Sequence, residues 1–236
     1  MIRAPYRRPA NRRKHVRHLR HRSPAAAPTP NGSAMTTYGI LLFDTAEELD
    51  FAGPWEVFTT SAALRDGADT AILLAERPGP VRCANGMRVL PDRTLDDHPP
   101  LDVLLVPGGS GAREAEPHNP RVTGWLAGRA ARAQWVVGVC TGAFLLHAAG
   151  PARGHRVATH WQYEVALAAR GDVTVVSDAR YVVDGRLLTS QGVSAGIDSA
   201  LWLVGRLHGR DHARAVRREL QYDPAPPYLA DEPLAG

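Results

Sequence analysis

The chain has 236 residues, of which 44% are hydrophobic and 22% charged, as is typical of a globular protein. No apolar run approaches the roughly 20 residues that a membrane-spanning helix needs, and two cysteines are too few for a disulfide-stabilised scaffold. The composition therefore excludes both of those classes and leaves room for one large α/β domain.

Residues 1–34 form a basic N-terminal segment. They hold nine of the 28 Lys and Arg residues and none of the 24 acidic residues, so the remainder carries a net charge of −5. The segment is rich in Arg, His, Pro and Ala without apolar periodicity, which predicts disorder. An arm that binds nucleic acid is one interpretation. A mis-assigned translation start, with the natural start at Met35 just before the first strand, is the favoured interpretation, because no folded nucleic-acid-binding module accompanies the segment.

The rest of the sequence alternates short apolar runs with helix-like stretches, which predicts a mostly parallel sheet covered by helices. Predicted strands cover about 38–43, 70–75, 102–106, 135–139, 173–176, 181–183 and 187–189, with a hairpin over 81–90. Predicted helices cover about 53–65, 120–133, 143–149, 161–169, 195–207 and 211–222, the second with Asn119 as N-cap. We expect one domain over 35–228 and an irregular segment over 229–236.

Cys140 lies in the segment Gly138–Gly142 (GVCTG), at the end of an apolar strand and the start of a helix. Glycines around a residue at a strand-to-helix turn are typical of a nucleophile elbow, which projects the central side chain. We expect the N-terminus of the following helix to lower the pKa of the Cys140 thiol and favour the nucleophilic thiolate. A buried structural cysteine is the alternative, and we assign that role to Cys83 in the hairpin.

A glycine-rich loop at 107–111 (PGGSG) follows another predicted strand, so it lies at the same carboxyl edge of the sheet. We expect the backbone N–H groups of Gly108 and Gly109 to be free and to bind substrate or an oxyanion together with the Thr141 N–H. The loop is not a phosphate loop, because no Gly-Lys-Ser/Thr follows it. A plain turn is the alternative.

Asp50 belongs to an acidic segment that follows the first strand. Because it stands between Leu49 and Phe51, it is the carboxylate of this segment that we expect to point inward, with a raised pKa, and to exchange protons with Cys140. A solvated acidic loop is the alternative for the neighbouring Glu47 and Glu48.

His160, in the sequence Thr159-His160-Trp161, is a further candidate for the site, because a reactive cysteine usually has a histidine within reach. A packed or surface histidine is the commoner role of such a residue. The two cysteines do not form a C-x-x-C pair, and we expect no metal site.

These segments together resemble the ThiJ/PfpI superfamily, whose members are related to the class I glutamine amidotransferase domain. The similarity covers about 38–222 and rests on five motifs: AEELD with GP at 46–54, VPGGSG at 106–111, VGVCTGAFLLHAAG at 137–150, THW at 159–161 and LTSQGVSAGIDSAL at 188–201. The resemblance implies a flavodoxin-like three-layer sandwich, usually a homodimer, with no metal or organic cofactor. The 14 residues after Tyr222 are too few for the helix-turn-helix module of some relatives, so we expect a free-standing enzyme.

Within the superfamily, three details are similar to the isonitrile hydratase branch: Thr141 after the cysteine, Asp50 where many relatives have Glu, and YDPAPPY at 222–228. This resemblance implies Cys140 as nucleophile, Asp50 as its acid partner and Thr141 as an essential neighbour, in a cytoplasmic enzyme that hydrates a small isonitrile. Two alternatives stay open. One is another cysteine activity, glyoxalase-like or amide-hydrolysing, in which His160 has a role; the other is a sensor that responds through oxidation of Cys140.

Overall fold

The computed structural model describes residues 35–223, so the predictions for the segments 1–34 and 229–236 lie outside the described residues. Within the described range the predicted apolar runs form strands, and two further short strands, Arg93–Thr94 and Arg156–Val157, were not predicted. The strands are β1 Thr37–Leu42, β2 Thr70–Ala75, β3 Val81–Arg82, β4 Arg88–Val89, β5 Arg93–Thr94, β6 Val103–Val106, β7 Trp135–Val139, β8 Arg156–Val157, β9 Thr174–Val175, β10 Tyr181–Asp184 and β11 Leu187–Ser190.

Seven of these strands form one central sheet in the order β10-β11-β7-β6-β1-β2-β5. Its pairs are parallel except at one edge, where β10 runs antiparallel to β11. The inner strands β6 and β7 are apolar and buried along their whole length, which is expected for a sheet covered on both faces. The pairs β3–β4 and β8–β9 form two small separate sheets.

Helices cover both faces of the sheet and complete the predicted flavodoxin-like sandwich. They are α1 Glu48–Ala63, α2 Ser110–Arg113, α3 Pro120–Ala130, α4 Gly142–Ala149, α5 Glu164–Ala168, α6 Ala195–His208 and α7 Arg210–Glu219, with 3₁₀ turns at Glu116–His118 and Trp161–Tyr163. Helices α1, α6 and α7 pack against one another in one layer, and α2, α3 and α4 form the other. None of the helices within 35–223 has the length and apolar character that a membrane span requires.

Two predicted helix boundaries were wrong. Helix α1 begins at Glu48, five residues earlier than predicted, and includes Pro54. Its first turn is held by tertiary contacts, because the Glu47 N–H donates to the Gly108 carbonyl at 3.0 Å. The stretch predicted as one helix over 161–169 is a 3₁₀ turn followed by a short α-helix, and the His160 side chain accepts a hydrogen bond from Gln162 N at the beginning of that turn.

Candidate active site

Cys140 occupies the sharp turn between β7 and α4 that the sequence predicted. Its φ of 56° lies in the left-handed region, which a non-glycine residue adopts at a cost and which is typical of a nucleophile elbow. Neighbouring segments hold the turn: Cys140 N donates to Ser190 O at 3.1 Å, and the Thr159 hydroxyl donates to Cys140 O at 2.9 Å. The strained backbone is therefore fixed from two sides, and Cys140 as a whole is only 6% exposed.

The glycine that follows the elbow is required by a close approach of the backbone. A Cβ at Gly142 would lie 2.2 Å from the carbonyl oxygen of Val106, at the end of the neighbouring strand β6. Any larger residue would push α4 away from the sheet. The G-x-C-x-G pattern is thus explained by packing as well as by turn geometry.

Asp50 projects from the first turn of α1 into the same edge of the sheet and has no exposed surface. Its Oδ2 accepts a hydrogen bond from Gly108 N at 2.9 Å, while its Oδ1 is buried without a hydrogen-bond partner among the described residues. Burial raises the pKa of Asp50 to about 7, and the neighbouring charge of Glu47 adds to the rise. The predicted increase is confirmed, but its cause is burial of the whole turn, since Leu49 beside it is 39% exposed.

The thiol of Cys140 lies beside the Asp50 carboxyl group, whose charge acts on it. Burial, followed by the charge of the Asp50 carboxylate, raises the pKa of Cys140 to about 12. The expectation of a lowered thiol pKa was therefore wrong, because loss of solvent and a like charge outweigh the helix N-terminus. At neutral pH the pair holds a neutral thiol beside a carboxyl group that is near its own pKa, so it can exchange one proton internally.

Val193 supplies a contact that the sequence analysis missed. Its backbone N–H faces the side chains of both Cys140 and Asp50 and opposes the rise that burial causes in their pKa values, and the Thr141 N–H does the same at Cys140. Val193 has a φ of 52°, so its backbone too is held in the left-handed region. It lies just after β11, the strand next to β7. The position of the SQGVSAG segment at a strand end was the signal from which the sequence analysis could have placed it near Cys140.

The glycine-rich loop is close to Cys140, as predicted, but its N–H groups are not free. Gly108 N donates to Asp50, and Gly109 N donates to the Thr141 hydroxyl at 3.0 Å. Gly109 has a φ of 115°, and a Cβ there would lie 2.1 Å from Thr45 O, so the loop packs directly on the segment before α1. The loop therefore orients Asp50 and Thr141, and the N–H groups near the thiol come from Thr141 and Val193.

His160 lies beside the site, in a wall of polar and aromatic side chains. Its ring contacts the rings of Trp161 and Tyr163, and Nδ1 accepts the hydrogen bond from Gln162 N. Burial, and then the charge of Arg113, lowers the pKa of His160, which favours the neutral ring. In the described part of the chain, no hydrogen bond joins His160 to Cys140.

Arg113 is a second residue that sequence reasoning missed. Its guanidinium donates to Gly109 O at 3.1 Å, reaches within 3.5 Å of the Thr141 hydroxyl, and lies 4.2 Å from the centre of the Tyr163 ring. Arg113 thus links the glycine-rich loop to the aromatic wall. It is the last residue of α2, which directly continues that loop.

No cluster of three or more His, Cys, Asp or Glu side chains within residues 35–223 could hold a metal ion. His208 and His212 are four residues apart, but their partners lie within the protein. His208 Nε2 is 3.1 Å from Asp69 and from the Tyr38 hydroxyl, and His212 Nε2 is 2.9 Å from the Ser61 hydroxyl.

The fold is a mostly parallel α/β sandwich, and its candidate site is a strained cysteine turn beside a buried carboxyl group. These features place the protein in the class of α/β proteins with a nucleophile elbow. The DJ-1/PfpI family matches residues 38–205, and the chain belongs to this family. Isonitrile hydratase from Pseudomonas putida is 38% identical over 195 residues, which is 83% of this chain and 82% of that protein. The glutathione-independent glyoxalase DJR-1.2 from Caenorhabditis elegans is 27% identical, with 70% and 88% of the two chains covered.

Among solved structures, a ThiJ/PfpI family protein from Pseudomonas syringae superposes with a TM-score of 0.76. It is 28% identical to this chain, and the match covers 90% of this chain and 87% of that one. The family resemblance inferred from the motifs is therefore confirmed, together with the flavodoxin-like fold.

Proposed function

We propose that the protein is a cysteine-dependent hydratase that adds water to a small isonitrile and releases an N-substituted formamide. The observation that carries this proposal is the buried pair of Cys140 and Asp50, a thiol beside a carboxyl group of near-neutral pKa. The similarity to the Pseudomonas putida isonitrile hydratase supports this choice of substrate class.

The first step adds the thiol across the terminal carbon of the isonitrile. Asp50 takes the proton of the Cys140 thiol as sulfur bonds to that carbon, and the same proton is then delivered to the carbon. The product is a thioimidate, in which the carbon carries one hydrogen, the sulfur and a double bond to nitrogen. A neutral thiol suits this step, because the proton that leaves sulfur is the one that carbon needs.

The second step hydrates the thioimidate. Asp50 takes a proton from water while the oxygen bonds to the carbon, and nitrogen receives that proton through Asp50. The hydroxyl of the tetrahedral intermediate then loses its proton, the carbon–sulfur bond breaks, and the proton returns to sulfur. The formamide leaves and the thiol is regenerated, so Asp50 acts alternately as base and acid with a pKa that suits both roles.

Backbone N–H groups around the thiol supply the electrostatic stabilisation that the proposed reaction needs. In this scheme the N–H groups of Thr141 and Val193 stabilise negative charge that develops at sulfur. Thr141 keeps the part in the site that the sequence analysis assigned to it, and Val193 replaces Gly108 and Gly109, whose N–H groups are bonded to Asp50 and Thr141. The Thr141 hydroxyl is fixed by the Gly109 backbone, and in this scheme it orients water or substrate. A cytoplasmic homodimer, acting without metal or organic cofactor, remains part of the proposal.

A glyoxalase-like activity is the second candidate, supported by the similarity to the Caenorhabditis elegans enzyme and by the position of His160 beside the site. A sensor that works by oxidation of Cys140 is less favoured, because a raised pKa leaves little of the reactive thiolate at neutral pH.

One panel assay separates these functions. Purified protein is incubated with an alkyl isonitrile, with methylglyoxal and with a peptide, and the formamide, lactate or cleaved amide is measured. We expect formamide with a turnover that Cys140→Ala removes. Lactate without formamide would instead favour the glyoxalase-like function.

A further inference from the structure

A groove of about 1110 Å³ lies between β10, α6 and α7, and none of its lining residues belongs to the candidate active site. Five arginines line it together with one acidic residue, Asp198, which pairs with Arg180 at 2.6 Å. Arg214 pairs with Asp211 at 2.9 Å, just outside the lining. Its apolar lining includes Tyr181, Trp202 and Tyr222. The groove therefore combines an excess of positive over negative side chains with aromatic surface, and the proposed reaction uses neither.

The described part of the chain ends at the edge of this groove. The Tyr222 hydroxyl donates to Asp198 Oδ1 at 3.1 Å, and Asp223 lies 3.9 Å from the Arg217 guanidinium. These contacts direct the chain toward the groove as it leaves α7. The 13 residues that follow, 224–236, read PAPPYLADEPLAG.

The composition of this segment matches the groove. It contains four prolines, two acidic residues, Asp231 and Glu232, and no basic residue. Proline-rich sequences favour the extended polyproline II conformation and bind to grooves lined by aromatic side chains at a low entropic cost. The two carboxylates are complementary to arginines such as Arg210 and Arg214, both of which are exposed on α7. Arg214 already pairs with the exposed Asp211, so a second carboxylate would share its guanidinium.

We propose that residues 224–236 bind in the groove between β10, α6 and α7 of the same chain. At about 3.1 Å per residue, the segment reaches about 40 Å in the polyproline II conformation, more than the roughly 20 Å length of the 14-residue helix α6. Because the segment is tethered next to the groove, its effective concentration there is in the millimolar range, so weak contacts suffice to hold it. This inference is independent of the reaction proposed for Cys140.

Accessibility of Trp202 reports on occupation of the groove. Quenching by acrylamide, which is uncharged, is measured in the full chain and in a chain lacking residues 224–236. The Trp202 signal is isolated in each by subtracting the emission of the Trp202→Phe variant. We expect truncation to increase Trp202 quenching, and the double variant Arg210→Glu/Arg214→Glu to increase it in the full chain. Arg132→Glu, an exposed arginine outside this groove, is the matched control and should change nothing.

A synthetic peptide of residues 224–236 provides the second arm. Added to the truncated protein, it should restore protection of Trp202, and the double arginine variant should bind it about tenfold more weakly, as expected for two lost surface ion pairs. Equal quenching in the full and truncated chains would overturn the proposal. Protection that disappears when the full chain is diluted, with a matching loss of dimer in sedimentation velocity, would also overturn it and assign the groove to a second copy.

Discussion

Replacing Asp50 with Asn is expected to abolish the proposed hydration and to stabilise the fold at neutral and alkaline pH. Asp50 has no exposed surface, and its Oδ1 lacks a hydrogen-bond partner among the described residues. A carboxylate in such a place is costly, which is why burial raises the pKa of Asp50 from 3.8 to about 7. Asn keeps an oxygen that can accept from Gly108 N, but it carries no charge and transfers no proton.

The size of the stability change follows from that pKa shift. Between pH 4 and pH 7 the folded protein holds this proton while the unfolded chain releases it, so the free energy of unfolding falls as pH rises through this window. A shift of roughly three pKa units corresponds to about 4 kcal/mol, which is the upper limit of the cost at pH 8. Asp50→Asn removes this cost, so its free energy of unfolding should exceed that of the wild type by up to about 4 kcal/mol at pH 8. Near pH 4 the same difference should be less than about 1 kcal/mol.

Urea unfolding at pH 4.5 and pH 8 tests this prediction, together with formamide production at pH 8. The activity of Asp50→Asn should fall by about 10²-fold or more, the usual scale of general acid–base catalysis, while its unfolding midpoint at pH 8 rises. Asp97→Asn, which changes an exposed carboxylate, should alter neither quantity. A variant that is less stable than the wild type at pH 8, or that retains full activity, would refute the reasoning.

Four further predictions follow from the site and the sequence. Cys140→Ala should abolish turnover with the circular dichroism spectrum unchanged, whereas Cys83→Ala should remain active; substantial activity in Cys140→Ala would exclude covalent catalysis. In steady-state kinetics with an isonitrile, His160→Ala should lose less than about tenfold in rate, and a loss as large as that of Asp50→Asn would show that a Cys–His pair is needed. The kcat/KM of the wild type should rise with pH and level off above about 7, because the active pair carries one proton and a second proton on Asp50 blocks it. Deleting residues 1–34 should leave activity and melting temperature unchanged, because the composition of this segment predicts that it buries no area; a lower melting temperature would show that the segment contributes to the stability of the domain.

The fold could be predicted from the sequence because its signals are local. Apolar runs such as 135–139 and turn residues such as Gly150 mark the inner strands and helix ends without reference to the rest of the chain. The beginning of α1 could not be predicted in this way, because its first turn is held by Glu47 and Gly108, which are far apart in sequence. Short elements near 161–169 were also ambiguous, since side-chain capping by His160 decides between 3₁₀ and α geometry.

The candidate site was predictable in its residue types and less so in its electrostatics. Strand ends on one edge of a parallel sheet brought Cys140, Asp50 and the glycine-rich loop together, as the topology requires. The predicted protonation state of Cys140 was wrong, because the pKa of the thiol depends on its burial. The sequence shows that a helix begins next to the thiol, but it does not show how deeply the thiol is buried. The part that Val193 plays was missed because its backbone N–H, and not its side chain, faces the site, and the sequence carries no side-chain signal for it.

The most direct test of the central claim is the mass of the protein during turnover. The protein is mixed with excess isonitrile, quenched in acid within milliseconds and analysed by intact-protein and peptide mass spectrometry. Addition of the thiol across the isonitrile carbon predicts an adduct on Cys140 whose mass equals that of the whole isonitrile, and no adduct in Cys140→Ala. Formamide produced at the full rate by Cys140→Ala, or an adduct at another residue, would contradict the account.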